Sequence, residues 1–222
     1  MTDFWAVMAD RLPYFLPVLA AGAVMTVKVT VGALGFALAA GLVVALMRIS
    51  RLRLLRVVST AYVELFRGTP ALVQLFIIYF GLSDLGIDIA PVPAAIVGLG
   101  MNGAAYLSEV YRAGIQEIHK GQMEAALSLG MTPARAMQDI ILPQAVRLML
   151  PPISNFSIVL LKDTSLVSSI AAPEIMFYAR NLRTETFLSM HIYLIVAVLY
   201  LAMTLPMSRV VARLERARKA WH

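Results

Sequence analysis

The chain has 222 residues, of which 60% are hydrophobic and 14% are charged, with a mean hydropathy of +0.78. An average soluble protein carries about 25% charged residues, so this composition argues against a soluble domain. The chain contains no cysteine, which excludes disulfides, thiol nucleophiles and cysteine-based metal sites.

Five apolar segments are each long enough to cross a bilayer. A hydrocarbon core of about 30 Å needs roughly 20 helical residues, and helices satisfy their backbone polar groups internally, as lipid requires. The first apolar run exceeds one span, so we expect an interfacial or tilted entry before its helix. The fold class is therefore an all-α membrane protein, a single domain over residues 1–222. The predicted helices cover about 25–47, 57–82, 92–111, 148–172 and 187–208.

Positive charges predict the orientation of these helices. With five spans, one side of the membrane receives thirteen of the nineteen Lys and Arg residues and the other receives three. The remaining three, Lys28, Arg67 and Lys162, lie at membrane depth. Positive residues favour the cytoplasmic side, so we expect the N-terminus outside, and the long loop and the C-terminus in the cytoplasm. This bias, with attraction to anionic lipid, explains the net charge of +6 without a nucleic-acid partner.

Glu64 and Arg67 are ionisable residues within the second predicted span. Such residues are costly in a membrane and usually face a cavity or a partner. Their i, i+3 spacing lets them pair with each other on one helix. Glu109 and Arg112 have the same spacing near the end of the third span. A structural ion pair and a substrate-pathway role are both open for Glu64 and Arg67.

The longest hydrophilic stretch is a loop over about 112–147. Within it, Met123, Ala126 and Leu127 share one face at i, i+3 and i+4, which predicts a short helix. A membrane chain has little use for such an excursion unless something outside the bilayer grips it. The pattern fits a helix that docks into a partner's groove, and it fits an interfacial helix on lipid equally well.

A sharp corner is predicted after this helix. Gly130 is placed to end the helix in a left-handed conformation. Thr132 then offers an N-cap and Pro133 a first-turn residue, so a second helix starts immediately. We expect Pro143 to limit that second helix.

Adjacent opposite charges interrupt the fourth predicted span. Lys162 and Asp163 point about 100° apart on a helix, so they cannot simply neutralise each other. With Thr164 they form a polar break that offers a carboxylate to the ammonium of a substrate. A structural role is open here as well. The candidate substrate-pathway residues are Asp163, Thr164, Lys162, Glu64 and Arg67.

Several blocks, in this order and on this topology, resemble the permease subunits of ATP-binding-cassette (ABC) importers. Glu124-Ala-Ala, followed by Gly130 and by Ile140-x-Leu-Pro143, is similar to the EAA signature of that family. Other blocks resemble its polar amino acid branch, of the histidine, glutamine and arginine type. The resemblance covers roughly residues 15–215. Those other blocks are Glu64-Leu-Phe-Arg67-Gly68-Thr69-Pro70 with Gln74, Ser108-Glu109-Val-Tyr-Arg112-Ala-Gly114, and Lys162-Asp163-Thr164-Ser165-Leu166-Val167.

The resemblance implies a type I ABC importer permease fold that pairs with a second permease, either another copy or a paralogue. It implies ATPase subunits that bind ATP and magnesium, an outer solute-binding protein, and no cofactor in this chain. It also implies import of polar amino acids across the bacterial inner membrane. The family's ATPase-coupling element corresponds to Glu124, Ala125, Ala126, Gly130, Leu142 and Pro143.

Other functions fit the sequence less well. The chain has no Gly-Lys dipeptide and therefore no G-x-x-x-x-G-K-[ST] phosphate loop, so we expect ATP hydrolysis in another chain. A membrane enzyme would need an activated nucleophile or a metal, and neither is evident. Opines, arginine-related compounds or cystine are alternative solutes, and an ATP-independent channel or secondary carrier is the alternative of another class.

Glycines give two further expectations. Gly98-Leu-Gly-Met-Asn-Gly103 matches a dinucleotide-binding pattern but follows no strand, so helix packing is the favoured interpretation. Five helices cannot form two equal inverted repeats, so the pathway is expected at a permease–permease interface lined by small residues. Those small residues are Gly32, Gly35, Ala39 and Gly41.

Overall fold

The computed structural model describes residues 4–219, and within this range the chain forms helices and no strands. The all-α prediction is confirmed, and the predicted domain 1–222 extends beyond the described residues at both ends. The helices are α1 (Phe4–Ile49), α2 (Arg53–Gly68), α3 (Ala71–Asp84), α4 (Pro91–Gln116), α5 (Lys120–Ser128), α6 (Pro133–Ile170), α7 (Ile175–Thr186) and α8 (Ser189–Lys219).

Helix α1 is longer than the segment predicted at 25–47. It runs unbroken for 46 residues, about 69 Å at 1.5 Å per residue, so the expected entry segment is continuous with the span. Its first half contributes Phe15 and Leu19 to a core shared with α7 and α8. Its second half contributes Val29 and Ala37 to a separate core shared with α3, α4 and α6. One helix thus connects two hydrophobic cores.

The second predicted helix, 57–82, is divided in the structure. Helices α2 and α3 meet at an angle of 109°, with Thr69 and Pro70 in extended conformations between them. Proline disfavours a helical residue before it, which explains why the break falls here. Hydropathy alone predicted one helix here, because the two sides of the break together are apolar enough for a span.

The expected limit at Pro143 is wrong. Helix α6 passes through this proline and continues to Ile170. Proline lacks an N–H and its ring crowds the carbonyl four residues earlier. The turn Met137–Ile141 just before it is π-helical, and such a single wide turn accommodates the mismatch.

Close packing explains the glycines of α4. A Cβ added at Gly98 would lie 2.6 Å from Leu75, and one at Gly103 would lie 2.7 Å from Phe156. The interpretation of these glycines as helix-packing residues is therefore supported.

Two glycines of α1 are placed differently from expectation. A Cβ at Gly32 would lie 2.8 Å from Ile96, and one at Gly41 would lie 3.1 Å from the carbonyl of Ala104. Both glycines therefore serve packing against α4 inside the chain. Gly35 has open space around it, so it stays on an outer face of α1.

Three helices of the described chain are long and apolar enough to cross a membrane: α1, α6 and Ser189–Arg213 of α8. The bent pair of α2 and α3 is a fourth if it counts as one span. Helix α4 has 26 residues, many of them buried, and it contacts α1, α2, α3 and α6. Few of its residues are exposed, because the rest of the chain covers much of its surface, so its composition need not be strongly apolar. The count of five spans stays a prediction.

Candidate functional site

The predicted corner after α5 is present. Gly130 has φ +79°, its N–H donates to the carbonyl of Leu127 at 3.0 Å, and the N–H of Met131 donates to the carbonyl of Ala126 at 3.1 Å. This is the pattern of a Schellman motif, which favours glycine because the left-handed region penalises a Cβ.

Side chains cap both helices that flank the corner. Thr132 Oγ1 accepts from the N–H of Arg135 at 3.3 Å at the start of α6, as predicted. His119 Nδ1 accepts from the N–H of Gly121 at 3.1 Å at the start of α5. Sequence reasoning missed this second cap because histidine is not among the preferred N-cap residues.

Most of the proposed coupling element is exposed. Glu124, Ala125, Gly130 and Pro143 are open to solvent, and Leu142 is partly so. Ala126 is the exception. It is buried, because the turn folds α6 back over this face of α5.

Two exposed leucines join the surface of the corner. Leu129 is 84% exposed and Leu127 is 43% exposed. The spacing predicted one face shared by Met123, Ala126 and Leu127, but Ala126 is buried and Leu127 is exposed, and nothing in that pattern singled out Leu129. The available signal was their position just before Gly130, the glycine that ends α5. The corner therefore offers an apolar tip next to the carboxylate of Glu124.

Helix α6 joins this corner to the polar break of the fourth predicted span. Asp163 lies 30 residues after Pro133 on the same helix, about 45 Å away along its axis. Thr164 is fully buried and donates its hydroxyl to the carbonyl of Leu161 at 2.6 Å. From Thr164 to Ile170 the helix narrows to a 3-10 form.

The two charges of this break differ in exposure. Lys162 is exposed, whereas Asp163 is half-buried. The ion pairs within residues 4–219 do not include one between Lys162 and Asp163. The expectation that they do not simply neutralise each other fits this arrangement.

Glu109 lies close to arginines from three helices. Its Oε1 accepts from Arg48 of α1, and its Oε2 accepts from Arg112 at 2.6 Å. Arg67 of α2 reaches Oε1 only at 4.0 Å. The predicted pairing of Glu109 with Arg112 is confirmed.

Of the two alternatives left open for Glu64 and Arg67, the ion pair between them is absent from the described residues. Arg67 inclines toward Glu109 of α4 instead, and Glu64 forms no ion pair within the described residues. Spacing along one helix could not show this competition, because Glu109 lies on another helix.

The corner between α2 and α3 is tied to α4 by two amides. Gln74 Nε2 donates to the carbonyls of Phe66 at 2.9 Å and Thr69 at 3.0 Å. Asn102 Nδ2 donates to Gln74 Oε1 at 3.0 Å and to the carbonyl of Phe66 at 3.1 Å. The break leaves these carbonyls without helical partners, and the two amides satisfy them. Sequence reasoning did not predict this link.

A buried carboxylate lies in the connection between α6 and α7, outside the candidate spans. Glu174 is fully buried, accepts from the N–H of Phe177 at 2.8 Å and accepts from the hydroxyl of Tyr200 at 3.2 Å. Burial raises the pKa of Glu174 to about 7, opposed by hydrogen bonds from Met176, Phe177 and Tyr200 and by the charge of Arg180. Sequence reasoning missed this residue.

Comparison with known proteins identifies relatives over nearly the whole chain. Residues 37–220 match the family described as binding-protein-dependent transport system inner membrane component. The glutamine transport system permease GlnP of Escherichia coli is 38% identical over 92% of this chain and 94% of its own length. The L-cystine transport system permease TcyB of Bacillus subtilis is 41% identical, over 76% and 72%.

Solved structures agree with this result. An amino acid ABC transporter crystallised with histidines has a chain 38% identical in sequence, with a TM-score of 0.90 over 98% of this chain and 99% of that chain. An inward-facing structure of the methionine ABC transporter MetNI has a TM-score of 0.66 at 21% identity, over 89% and 96%. The second likeness concerns the fold alone.

Proposed function

The chain belongs to the family of binding-protein-dependent transport system inner membrane components, and we propose that it moves polar amino acids through the bacterial inner membrane. It is the permease subunit of an ABC amino acid importer, a transport subunit and not an enzyme. The expected solute is glutamine or a related polar amino acid, in line with the glutamine permeases among its relatives.

The proposal assigns the work to several chains. Two ATPase subunits bind ATP and magnesium, a second permease completes the pathway, and an outer solute-binding protein delivers the amino acid. This chain offers the corner around Gly130 to an ATPase. The N-terminus lies outside and the corner in the cytoplasm.

The observation that supports this mechanism is the continuity of α6. An exposed, locally braced corner at one end of the helix connects without a break to Asp163 and Thr164. A displacement of the corner by an ATPase therefore reaches the polar break of the span as a movement of one element. Asp163, Thr164 and Lys162 are the proposed path residues there, and Glu64 and Arg67 are those on α2.

Co-purification followed by reconstitution tests the proposal. We expect the chain, extracted from its host in mild detergent, to carry an ATPase with a phosphate loop, identified by mass spectrometry. Liposomes containing that complex and the binding protein should accumulate labelled L-glutamine only with ATP. Uptake by this chain alone, without ATP, would overturn the proposal in favour of a channel or carrier.

Cystine is the second candidate solute, because TcyB is an L-cystine permease. Competition in the same liposomes separates the candidates. Excess L-cystine should leave uptake of L-glutamine unchanged if glutamine is the solute, and should suppress it if the complex prefers cystine.

A further inference from the structure

Arg67 carries a positive charge that its own chain leaves largely unpaired. Both oxygens of Glu109 are already engaged, one by Arg48 and the other by Arg112. Arg67 stands 4.0 Å from Glu109, and its side chain is 55% exposed. One carboxylate thus faces three guanidinium groups, and Arg67 is the member held most weakly.

Glu64 is the matching unpaired negative charge. It is exposed, and within the described residues it accepts no hydrogen bond and forms no ion pair. Its charge interacts with Arg48 only at longer range. Glu64 and Arg67 share one face of α2 at i, i+3, where Cβ atoms lie about 5–6 Å apart.

Open cavities adjoin both side chains. Thr60 and Glu64 line two cavities along α2. Arg67 and Glu109 line the second of these and a third cavity that reaches Tyr106 of α4. A small solute in these cavities meets a carboxylate and a guanidinium, one turn apart, on the wall of one helix.

We propose that Glu64 and Arg67 together bind the zwitterionic head of the transported amino acid, Arg67 holding the carboxylate and Glu64 the ammonium. A guanidinium presents parallel N–H groups that match a carboxylate. The ammonium and the carboxylate of an α-amino acid are bonded to the same carbon, so a single molecule can bridge both side chains. The site therefore recognises the α-ammonium and α-carboxylate groups of the amino acid and does not recognise its side chain.

This inference rests on the proposed function, and a cysteine reporter tests it. The chain has no cysteine, so Thr60→Cys places one thiol in this chain, a turn from Glu64. Ala61→Cys, on the same cavity wall, is a second reporter if the first reduces uptake. The rate at which a maleimide labels the thiol is measured in the complete complex in nanodiscs.

Three probes separate the two charges. L-Glutamine has both groups, glutaramate lacks the ammonium, and 4-aminobutyramide lacks the carboxylate. We expect L-glutamine to slow labelling at a concentration about tenfold lower than either analogue, as the loss of one charge-assisted hydrogen bond implies.

Each charge is then removed in the reporter chain. Arg67→Gln should make L-glutamine protect no better than 4-aminobutyramide, and Glu64→Gln should make it protect no better than glutaramate. Arg51→Gln, the same change of charge in the exposed turn before α2, should leave all three probes unchanged. If Glu64 and Arg67 were purely structural, the two substitutions would not make L-glutamine behave like one analogue in one variant and like the other analogue in the other variant.

The outcomes distinguish the two claims. ATP-driven uptake of L-glutamine without protection of the thiol, or equal protection by all three probes, would overturn the zwitterion site and leave the importer intact. Absence of ATP-driven uptake of any amino acid by the complex with native residues would overturn the proposed function, and the zwitterion site with it.

Discussion

The chain turns sharply at two corners that are built differently. The corner at Gly130 is held by backbone bonds between residues at most five positions apart, and its surface is exposed. The corner at Thr69 and Pro70 is held by Gln74 and by Asn102, which lies 36 residues from the carbonyl of Phe66 that it contacts. The first corner keeps its shape without neighbours, so it can move as a unit with a partner. The second keeps its shape because three helices meet there.

Changing Gly130 should have the largest effect on transport. Gly130→Val forces a β-branched residue into a left-handed conformation, at a cost of roughly 1–2 kcal/mol, and displaces the corner. We expect ATP-driven uptake in proteoliposomes to fall by about tenfold or more, with membrane insertion unchanged. Gly130→Asn should retain more uptake, because asparagine tolerates this conformation. Unchanged uptake in Gly130→Val would remove the corner from the coupling mechanism.

Glu174 extends the comparison to a third connection, where its own side chain is fully buried. Its folded-state pKa of about 7 lies above the ordinary glutamate value of 4.5, so the folded chain holds this proton more tightly than the unfolded chain. Its contribution to stability is therefore full below about pH 4.5 and is lost as the pH rises toward about 7, on the order of 3 kcal/mol in all.

Glu174→Gln should abolish this dependence, because the neutral amide still accepts from Phe177. The melting temperature of the detergent-solubilised chain at pH 5 and pH 8 is the measurement. Equal pH sensitivity in the native chain and the variant would show that other groups govern it.

A substitution that loosens the corner at Thr69 and Pro70 should lower the stability of the chain. Gln74→Ala removes donors from the carbonyl of Thr69 and an acceptor from Asn102, which costs roughly 1–3 kcal/mol. Thermal unfolding in detergent should show a lower melting temperature. Gln138→Ala, at an exposed position of α6, should leave it unchanged. Similar losses in both variants would contradict the distinction between the two corners.

Asp163 should show the smallest and most selective effect. If its carboxylate meets the substrate, Asp163→Asn should reduce uptake of cationic amino acids by about fivefold relative to neutral ones. Parallel uptake assays with L-arginine and L-glutamine measure that ratio. An equal reduction for both would assign Asp163 a structural role.

Local signals in the sequence predicted the exposed corner well. Gly130, Thr132 and Pro133 act through their own backbone or through a bond three residues away, so their roles do not depend on distant parts of the chain. The same reasoning failed at Pro143, where one π-helical turn absorbs the proline. It also failed at Gly32 and Gly41, whose close neighbours belong to α4.

The charged residues show where sequence reasoning ends. Arg67 and Glu64 have the spacing of an ion pair, yet Arg67 inclines to Glu109, a residue of another helix. The buried position of Glu174 likewise depends on α1, α7 and α8 meeting around it.

The sequence by itself determined that the chain is helical and hydrophobic, where it caps its exposed corner, and which family blocks it carries. These features depend on composition and on bonds between near neighbours. Tertiary structure alone decided how Gln74 meets Asn102, how Glu109 shares three arginines, and that Glu174 is buried. Those outcomes depend on which helices come together, because a side chain at a helix contact bonds to whatever the opposite helix presents.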